Sequence, residues 1–595
     1  MDLNVYVEKL YQAWVKYQGI RILVDYDDTI KPYNTATYSF CKDVVDTLIE
    51  AQRFGATLIL WTCRSGDRLT EAVQYCESIG LVFNEINPEN PFLPGYSLKA
   101  YGNVLLDDKA GLEQALNTLK IALSKYKMFI YMKLTKSKNF NPNYLAKIVQ
   151  IDSFRPHPNA ERLKLCTVDG CVISTSIDSV EGIYVYFPVE CVITPEFLKV
   201  NNLYRKPELN ADPTKQGFFE ESGRVKCIKL RGLASEGLVM PIYELYKFIG
   251  EGKDAPIDSV EASKLVGTEF DTVDDKLFVW KYVIQVKTSL NRSNKINKAK
   301  AGLNILENQF RYHIDTELLA KNIEKVNPND MIQISWKEHG TSAIFCNLLA
   351  KVDYPIHKRV LNKISNLLFK NSLYPNYEYY KFCSSRKVVK DPKLNPGLTK
   401  GYYDYDIWNL AFEVVKDFLQ KGMTIYAEIV GYMPNGGYIQ SGYDYQCVYD
   451  PKVYEYAKMT PRQMYDAKLF NIIVYRITYT NIDGKVYEFS TQQVKEFCAK
   501  YQINSVKELY YGRAKDLFPN IDVENHWHEN FLAELRNAYL EKQSVLCNNK
   551  VPEEGIVLRK EVSDIEVYKL KSIAFLERET KMLDKGEADI ESSQG

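Results

Sequence analysis

The segment that decides the fold of the C-terminal half reads QISWKEHGTSA at residues 333–343. Its apolar start predicts a β-strand that delivers Lys337 to a tight turn at Gly340. A lysine that is desolvated near other cations and a metal can lose its proton and attack the α-phosphate of a nucleotide, releasing pyrophosphate. Alone, such a Lys-x-His-Gly motif more often marks an exposed turn. A nucleotide site is indicated only if other segments of the chain supply the groups that the reaction needs.

Four later segments supply groups that this reaction needs. They are Arg386 in CSSR (383–386), Glu428 in IYAEIVG (425–431), Glu554 in EGIV (554–557), and Lys569 and Lys571 in YKLK (568–571). Residues two apart on a strand share a face, so both lysines can reach one triphosphate. Taken singly, these residues have simpler explanations. The two lysines are typical of a solvated strand face, and Glu428 of a lone carboxylate on an edge strand. Together, and in this order, the segments predict a nucleotide site.

This ordered set resembles the covalent nucleotidyltransferase superfamily of ligases and capping enzymes, specifically RNA ligases whose first motif reads Lys-x-His-Gly. The resemblance spans about residues 300–583 and implies an α+β nucleotidyltransferase domain of the ATP-grasp-like ligase type, at residues 301–583. It implies that Lys337 forms a phosphoramide with AMP. His339 stands where Asp is more usual across the superfamily, which favours RNA ligases over DNA ligases.

The same resemblance implies roles for the remaining residues. Glu428 contacts the ribose and Glu554 binds the catalytic metal. Tyr475, in IVYRI (473–477), matches the aromatic residue that stacks on adenine, with a core tyrosine as the alternative. The other implied nucleotide-binding residues are Glu338, His339, Gly340, Arg386, Lys569 and Lys571.

Residues 1–127 alternate helical patterns with short apolar strands, ILV (22–24), TLILW (57–61) and VLL (104–106). Strands that are apolar throughout and separated by helices predict a parallel sheet covered on both faces, a doubly wound α/β domain. The segment VDYDDT (24–29) follows the first strand directly. Its carboxylates should therefore project from the C-terminal edge of the sheet, where open α/β folds bind ligands.

Two carboxylates two residues apart can divide the labour of phosphoryl transfer, since one attacks phosphorus while the other protonates the leaving group. A hydroxyl follows the second strand, and an acidic pair follows the third. An isolated Asp-rich run is more often a cap or a turn, but this ordered set favours chemistry. Clustered carboxylates predict an octahedral, all-oxygen Mg²⁺ site.

These residues, with LWTCRSG (60–66) and NVLLDDKA (103–110), resemble the haloacid dehalogenase (HAD) phosphotransferase superfamily and its small, nearly capless members. The resemblance implies an HAD-like Rossmannoid phosphatase in which Asp25 is the nucleophile and Asp27 the general acid/base. Thr62 and Lys99 would bind phosphate, and the metal ligands would be Asp25, Asp27, Asp107 and Asp108. Asp28 stands where these members usually have Gly, so the loop geometry differs. A catalytically dead pseudo-phosphatase is the alternative.

Residues 128–245 change to short β-rich runs such as AKIVQI (146–151), which predict a small barrel. IDSFRPHPNAERL (151–163) and KLRGLASEGL (229–238) resemble OB-type barrels of tRNA-binding modules. Such barrels bind single strands through basic grooves and stacking. Residues 246–300, which end in the polar, basic stretch NRSNKINK (291–298), predict a linker, and residues 584–595 predict a frayed tail.

Composition narrows the setting. Lys+Arg and Asp+Glu both number 76, so net charge neither favours nor excludes a nucleic-acid partner. The 12 cysteines include no Cys-x-x-Cys pair, which predicts reduced thiols, no structural zinc and a cytoplasmic location, in bacteria or in a phage-infected host. No secretion signal or membrane span is expected, and no membrane partner.

Combined, the resemblances imply an enzyme that heals and seals RNA ends, in nicked duplexes or hybrids. The phosphatase exposes a 3′-hydroxyl, and the ligase joins it to a 5′-phosphate using ATP and Mg²⁺ or Mn²⁺. No phosphate-binding Gly-x-x-x-x-Gly-Lys-Ser/Thr loop occurs, so a 5′-kinase would be a separate protein. The alternatives are an mRNA-capping guanylyltransferase and an RNA-binding scaffold with an inactive phosphatase.

Overall fold

The structure is a computed structural model. It describes residues 3–33, 35–88, 101–131, 133–249, 259–283, 304–313, 315–370, 372–395, 405–440, 442–562 and 565–585. The predicted phosphate-binding Lys99 lies outside the described residues, as do residues 284–300 of the predicted linker. No helix in the described ranges is long and apolar enough to cross a membrane. The sheets and helices divide along the chain into an N-terminal, a middle and a C-terminal part.

The N-terminal part is built on a parallel sheet whose strand order is β3-β2-β1-β4. Its elements are α1 (Leu3–Tyr17), β1 (Arg21–Val24), α2 (Tyr38–Arg53), β2 (Thr57–Leu60), α3 (Asp67–Ser78), β3 (Glu85–Ile86), β4 (Val104–Leu106) and α4 (Leu112–Tyr131). Apolar residues of the strands and all four helices form one buried core. The apolar runs therefore form the parallel sheet that their sequence predicts.

The middle part is a β-rich module of short, mostly antiparallel strands. Its strands are β5 (Leu134–Thr135), β6 (Ala146–Ile151), β7 (Arg155–Pro156), β8 (Leu163–Val168), β9 (Cys171–Ser176), β10 (Gly182–Pro188), β11 (Cys191–Ile193), β12 (Ile228–Leu230), β13 (Leu233–Ser235), β14 (Gly237–Pro241), β15 (Glu269–Phe270), β16 (Thr272–Val273), β17 (Lys276–Leu277) and β18 (Val279–Lys281). Its helices are α5 (Pro195–Val200), α6 (Ile242–Ile249) and α7 (Ser259–Lys264). The largest sheet has the order β14-β10-β6-β15. The OB and HAD assignments stay predictions.

The prediction of a linker over residues 246–300 is wrong for residues 259–283. In this segment β15 pairs with β6, β16 with β5 and β18 with β11. Phe270, Phe278 and Val279 are buried in the core of the β-rich module. The segment looked like a linker because its strands have only two or three residues, too few to show a period, and their partners lie far back along the chain.

The C-terminal part contains two large sheets. Its strands are β19 (Glu317–Leu318), β20 (Met331–Trp336), β21 (Thr341–Lys351), β22 (Tyr377–Ser385), β23 (Met423–Gly431), β24 (Phe470–Thr480), β25 (Val486–Glu488), β26 (Asn504–Ser505), β27 (Glu508–Arg513), β28 (Gly555–Lys560) and β29 (Glu566–Lys571). Its helices are α8 (Leu319–Asn322), α9 (Ile356–Phe369), α10 (Ile407–Val415), α11 (Pro461–Asp466), α12 (Thr491–Tyr501), α13 (Ala514–Leu517), α14 (Trp527–Tyr539) and α15 (Ile573–Asp584).

The first sheet has the order β19-β29-β28-β20-β27 and the second β22-β21-β23-β24-β25, with β26 against β24. The chain passes from the first sheet to the second through residues 337–340, between β20 and β21. The strands and helices have separate apolar cores on either side of this crossing. The Lys-x-His-Gly motif is thus the connection between the two sheets.

Candidate active sites

A cavity of about 600 Å³ lies where the two C-terminal sheets meet, and the β-rich module forms part of its wall. This volume is typical of a site for a small molecule or a nucleotide. The predicted residues that line it are Lys337, Glu338, His339, Arg386, Glu428, Tyr475, Glu554, Lys569 and Lys571. Residues from six separate segments of the sequence therefore converge on one cavity.

Lys337 reaches the cavity from the end of β20. Its backbone N–H donates to the carbonyl of Gly555 at 2.9 Å, because β20 and β28 are antiparallel neighbours with Trp336 opposite Ile556. This register brings the Lys337 side chain level with Glu554, and Nζ lies 2.9 Å from Glu554 Oε1. The Lys337 side chain is 21% exposed and that of Glu554 is 3% exposed. The amine therefore faces the cavity beside a buried carboxylate.

Glu554 is ionised despite its burial. Burial alone would raise the pKa of this carboxyl, but Lys337, His339 and Lys571 outweigh it and lower the pKa to about 2. Oε2 lies 3.5 Å from His339 Nδ1 and has no hydrogen-bond partner among the described residues. A buried, ionised carboxylate with an unpartnered oxygen is the kind of group that binds a hard cation such as Mg²⁺.

The turn after Lys337 is held by side chains of the second sheet. The N–H of Gly340 donates to Glu428 Oε1 at 3.1 Å, and His339 Nε2 lies 2.6 Å from the side-chain nitrogen of Gln440. A Cβ on Gly340 would lie 2.4 Å from the carbonyl oxygen of Ile429. Glycine is required at this position because the backbone of β23 approaches so closely.

Glu338 is buried, and burial raises the pKa of its carboxyl to about 8. It is therefore predominantly protonated at neutral pH. A neutral acid at the edge of the cavity can donate a hydrogen bond, whereas the ionised Glu554 can only accept one. Glu338 and Glu554 are both buried acids that line the cavity. Their charge states differ because their charged neighbours differ.

Lys569 and Lys571 extend from β29 into the cavity on one face of the strand, as their spacing predicts. Burial lowers the pKa of Lys569 to about 8, and nearby Lys571 and Lys337 act in the same direction, against Asp315. Lys571 Nζ lies 3.1 Å from Glu579 Oε2, on α15, and 3.9 Å from Glu554 Oε1. The cavity thus concentrates cations that an anionic ligand would stabilise.

Arg386 pairs with Asp315, a residue that the sequence did not indicate. Burial would raise the pKa of Asp315, but Lys569, Arg386 and Lys281 hold the pKa far below its usual range. Lys281 belongs to β18 of the β-rich module, and Asp315 also accepts from Asn141 of that module at 2.7 Å. The middle part therefore supplies polar groups to the cavity.

Tyr475 is half-buried and lines the cavity. It is the extra residue of a β-bulge in β24, because Tyr426 lies opposite Arg476 and Ala427 lies opposite Val474. Its hydroxyl lies 3.4 Å from Nδ1 of His313, and the two rings meet edge to face at 5.5 Å. A β-bulge of this kind re-aims a side chain, which gives Tyr475 access to the cavity. Its role as the adenine-stacking residue stays a prediction.

The second candidate site lies at the C-terminal edge of the N-terminal sheet. The backbone N–H of Asp25 donates to the carbonyl of Leu106 at 2.9 Å, so the loops after β1 and β4 leave the sheet side by side. Burial raises the pKa of the Asp25 carboxyl to about 6, and Asp107, Asp27 and Asp108 add to the rise. The predicted carboxylates therefore converge, with Asp25 at their centre.

Asp27 is paired with Arg64, which the sequence did not single out. Arg64 Nη2 and Nε lie 2.6 and 3.1 Å from the two carboxylate oxygens, and this hydrogen bonding lowers the pKa of Asp27. The Thr62 hydroxyl accepts from the backbone N–H of Arg64 at 3.3 Å. Asp108 is likewise paired, with Lys109. Thus two of the four predicted metal ligands face cations of the protein.

No group of three or more His, Cys, Asp or Glu side chains within the described ranges is arranged to hold a metal ion. A preformed cluster of metal ligands at Asp25, Asp27, Asp107 and Asp108, or around Glu554, is therefore not seen. At the N-terminal site Asp27 is paired with Arg64 instead. The acids near Asp25 add to burial in raising its pKa, and a bound cation would relieve their repulsion.

Asp28, the departure from the expected Gly, adopts the left-handed backbone region with φ 50°. Its Oδ1 accepts from the backbone N–H of Tyr33 at 2.8 Å and from the Thr37 hydroxyl at 3.2 Å. Aspartate tolerates this region better than most residues because its short side chain bonds to the nearby backbone. The loop after β1 therefore keeps the conformation that glycine would favour.

A scan against models of protein families finds no match, and no curated protein matches the sequence. Among solved structures, the Naegleria gruberi RNA ligase with PPi is similar, at 15% identity and a TM-score of 0.41, over 74% of this chain and 99% of that chain. A mutant of that ligase with AMP and Mn matches at 16% identity and a TM-score of 0.40, over 73% and 98%. At these values the likeness gives no argument about the function of this chain.

Proposed function

We propose that the C-terminal part is an ATP-dependent RNA ligase that works through a lysyl-AMP intermediate on Lys337. The observation that carries this proposal is the position of the Lys337 amine, 2.9 Å from Glu554 in a cavity that also holds Lys569 and Lys571. A nucleophilic amine, an ionised acid and clustered cations are the groups that a nucleotidyl transfer requires. ATP is the nucleotide substrate.

In the first step the Lys337 amine, as the free base, forms a bond from Nζ to the α-phosphorus of ATP. The bond between this phosphorus and the bridging oxygen breaks, pyrophosphate leaves, and the amine gives up one proton. Glu554 orients the amine before attack by accepting its hydrogen bond. Lys569, Lys571 and Arg386 stabilise the negative charge of the triphosphate. Glu428 lines the cavity beside Gly340, where it would contact the ribose.

The two later steps use the same cavity. The 5′-phosphate of an RNA end attacks the lysyl-AMP, which transfers AMP to that end and frees Lys337. The 3′-hydroxyl of the other end then displaces AMP and closes the phosphodiester. A divalent metal, Mg²⁺ or Mn²⁺, would be held by Glu554 and would supply charge neutralisation at the phosphates. The unpartnered Oε2 of Glu554 fits such an ion.

We also propose that the N-terminal part is a polynucleotide 3′-phosphatase of the HAD class. Asp25 would attack the phosphorus of a terminal phosphate, and Asp27 would protonate the leaving 3′-oxygen once it is released from Arg64. Water activated by Asp27 would then attack the phosphorus of the aspartyl phosphate, which releases inorganic phosphate and regenerates Asp25. Thr62 would hold the phosphoryl group. A divalent cation at this site would be held by Asp25, Asp107 and Asp108, whose repulsion adds to burial in raising the pKa of Asp25. The product, a 3′-hydroxyl, is the group that the ligase consumes.

One substrate tests both proposals. A nicked RNA duplex that carries a 3′-phosphate and a 5′-phosphate should be sealed by the wild-type protein in the presence of ATP and Mg²⁺. Asp25→Asn should stall with the 3′-phosphate in place, at least about 1,000-fold slower, because it removes the nucleophile. Lys337→Ala should remove the 3′-phosphate but leave the nick open. Each variant is thus the matched control for the other.

Labelling identifies the nucleotide. The wild-type protein should become labelled by α-³²P-ATP and Lys337→Ala should not. Labelling by α-³²P-GTP alone would instead identify a capping guanylyltransferase, and no labelling by either nucleotide would favour an RNA-binding scaffold. Normal sealing of the 3′-phosphorylated nick by Asp25→Asn would contradict the phosphatase proposal while leaving the ligase proposal intact.

A further inference from the structure

Helix α9 presents its apolar side to solvent. It lies between β21 and β22, at the far end of the hairpin that these two long strands form. Asn362 is its buried residue: the Asn362 side chain donates to the carbonyl of Tyr374 at 2.9 Å and accepts from the N–H of Tyr374 at 2.8 Å. The helix is therefore tied through a polar residue to the loop that follows it.

The opposite side of the helix is apolar and exposed. With 3.6 residues per turn, positions 356, 360, 364 and 367 share one face, and positions 361 and 368 lie beside them. The exposed fractions are Ile356 79%, Val360 48%, Leu361 44%, Ile364 48%, Leu367 84%, Leu368 65% and Phe369 75%. A surface helix normally buries its apolar stripe. An exposed apolar surface of this extent indicates a binding partner.

Helix α9 and the residues that follow it carry an excess of cations. Residues 354–377 contain Lys358, Arg359, Lys363 and Lys370 and no acidic residue, in a chain whose net charge is zero, and of these four cations Arg359 is paired with Asp353, just before the helix. Lys358 lies on the side of the helix near the body, with Nζ 5.0 Å from the Tyr374 ring centroid. Lys363 follows Ile356 by seven positions, which is about two helical turns. It therefore adjoins the other edge of the apolar face. Cations therefore border the apolar face.

We propose that α9 is an interfacial helix that docks the protein onto an anionic lipid surface. An apolar face bordered by lysine and arginine is the pattern of helices that lie in the plane of a membrane, with apolar side chains among the acyl chains and cations among the headgroups. The sequence led us to expect no membrane partner, an expectation that rested on the lack of a spanning segment. Docking by α9 needs no such segment.

A second copy of this chain fits the helix less well. Two α9 helices packed face to face would bring their basic borders together, and neither helix carries an acidic residue to pair with them. An anionic surface neutralises the same cations. Charge therefore favours the lipid surface as the occupant of this face.

Vesicle co-sedimentation of the full chain tests the proposal. The protein should sediment with phosphatidylcholine vesicles that contain about one quarter phosphatidylserine, at about 0.1 M NaCl. The triple variant Ile364→Ser, Leu367→Ser, Leu368→Ser should bind at least about tenfold more weakly, because it removes three exposed apolar side chains from this face. Because these side chains are exposed, the variant should keep the wild-type melting temperature and circular dichroism spectrum.

The matched control is the triple variant Val180→Ser, Val453→Ser, Ile482→Ser, which removes apolar residues that are 67 to 70% exposed elsewhere on the surface. It should bind vesicles as the wild type does. The pair Lys363→Glu and Lys370→Glu should weaken binding through charge alone. Failure to sediment with anionic vesicles, or equal binding to neutral ones, would overturn the proposal. Self-association that the α9 variant abolishes, without vesicle binding, would assign the face to a second copy.

Discussion

The two candidate sites treat buried carboxylates in opposite ways. Burial raises the pKa of Asp25 to about 6, and the acids around it add to the rise, whereas the cations around Glu554 outweigh burial and lower its pKa to about 2. Burial opposes ionisation in both. The neighbours of a buried carboxylate therefore decide its charge state: acids at the N-terminal site and cations at the C-terminal cavity.

The sites also differ in how they are held together. The N-terminal carboxylates sit in loops that leave adjacent parallel strands, and the Asp27 side chain remains 31% exposed. The C-terminal residues come from two sheets and the β-rich module, and they enclose a cavity. The C-terminal site should therefore be more sensitive to small changes in backbone position.

The largest effect is expected from Gly340→Ala. The new Cβ would lie 2.4 Å from the carbonyl oxygen of Ile429 and 2.9 Å from Cγ of Glu428, so the turn that carries Lys337 must shift. We expect labelling by α-³²P-ATP to fall about 100-fold, because displacement of a reacting group by about 1 Å has an effect of that size. Phosphate release should not change.

Ser342→Ala is the control. It alters a buried side chain of β21, the strand that follows the turn, without introducing a clash. The Ser342 hydroxyl has no hydrogen-bond partner among the described residues, so its loss should leave labelling within about twofold of wild type. Equal labelling of Gly340→Ala and wild type would show that the turn has more freedom than this packing allows.

A smaller effect is expected from Arg64→Ala at the N-terminal site. Arg64 lowers the pKa of Asp27 by hydrogen bonding, so the variant should move the limb of the pH–rate profile that Asp27 controls to higher pH. At neutral pH we expect a change of about tenfold in kcat/KM for phosphate release. Arg64→Lys keeps the charge but loses the two-point contact. Its pH–rate profile and kcat/KM should therefore lie between those of the wild type and Arg64→Ala. Identical profiles for all three proteins would refute a catalytic role for this pair.

The smallest effect is expected from the titration of Lys569. Its pKa is lowered to about 8, so its charge is present below that pH and is lost as the pH rises through it. The kcat/KM for ATP in the labelling reaction should therefore fall about threefold as the pH rises above about 8. Lys569→Arg stays charged and should not show this fall. The same fall in the variant would assign the titration to another group.

Much of both sites follows from local sequence. The apolar runs predict the parallel sheet, and the residues after them place Asp25, Thr62, Asp107 and Asp108 at one edge of it. The alternating Lys569 and Lys571 predict a shared strand face, which is observed. These predictions succeed because strand period and strand ends are properties of a few consecutive residues.

Other features escaped prediction because their partners are distant in sequence. Nothing near Asp315 indicates that it will meet Arg386, and nothing near Arg64 indicates that it will hold Asp27. The strands within residues 259–283 resemble a linker for the same reason, since β15, β16 and β18 pair with strands far back in the chain. Pairing of this kind has no local signature.

The sequence by itself determined which reactive groups this protein carries, their order along the chain, and the strands that present them. The tertiary structure alone decided which of them meet: the cavity around Lys337, the low pKa of Glu554, the Asp27–Arg64 pair and the outward apolar face of α9. The physical reason is that charge states and exposure depend on the side chains that folding brings within a few ångströms, and most of these are contributed by other segments.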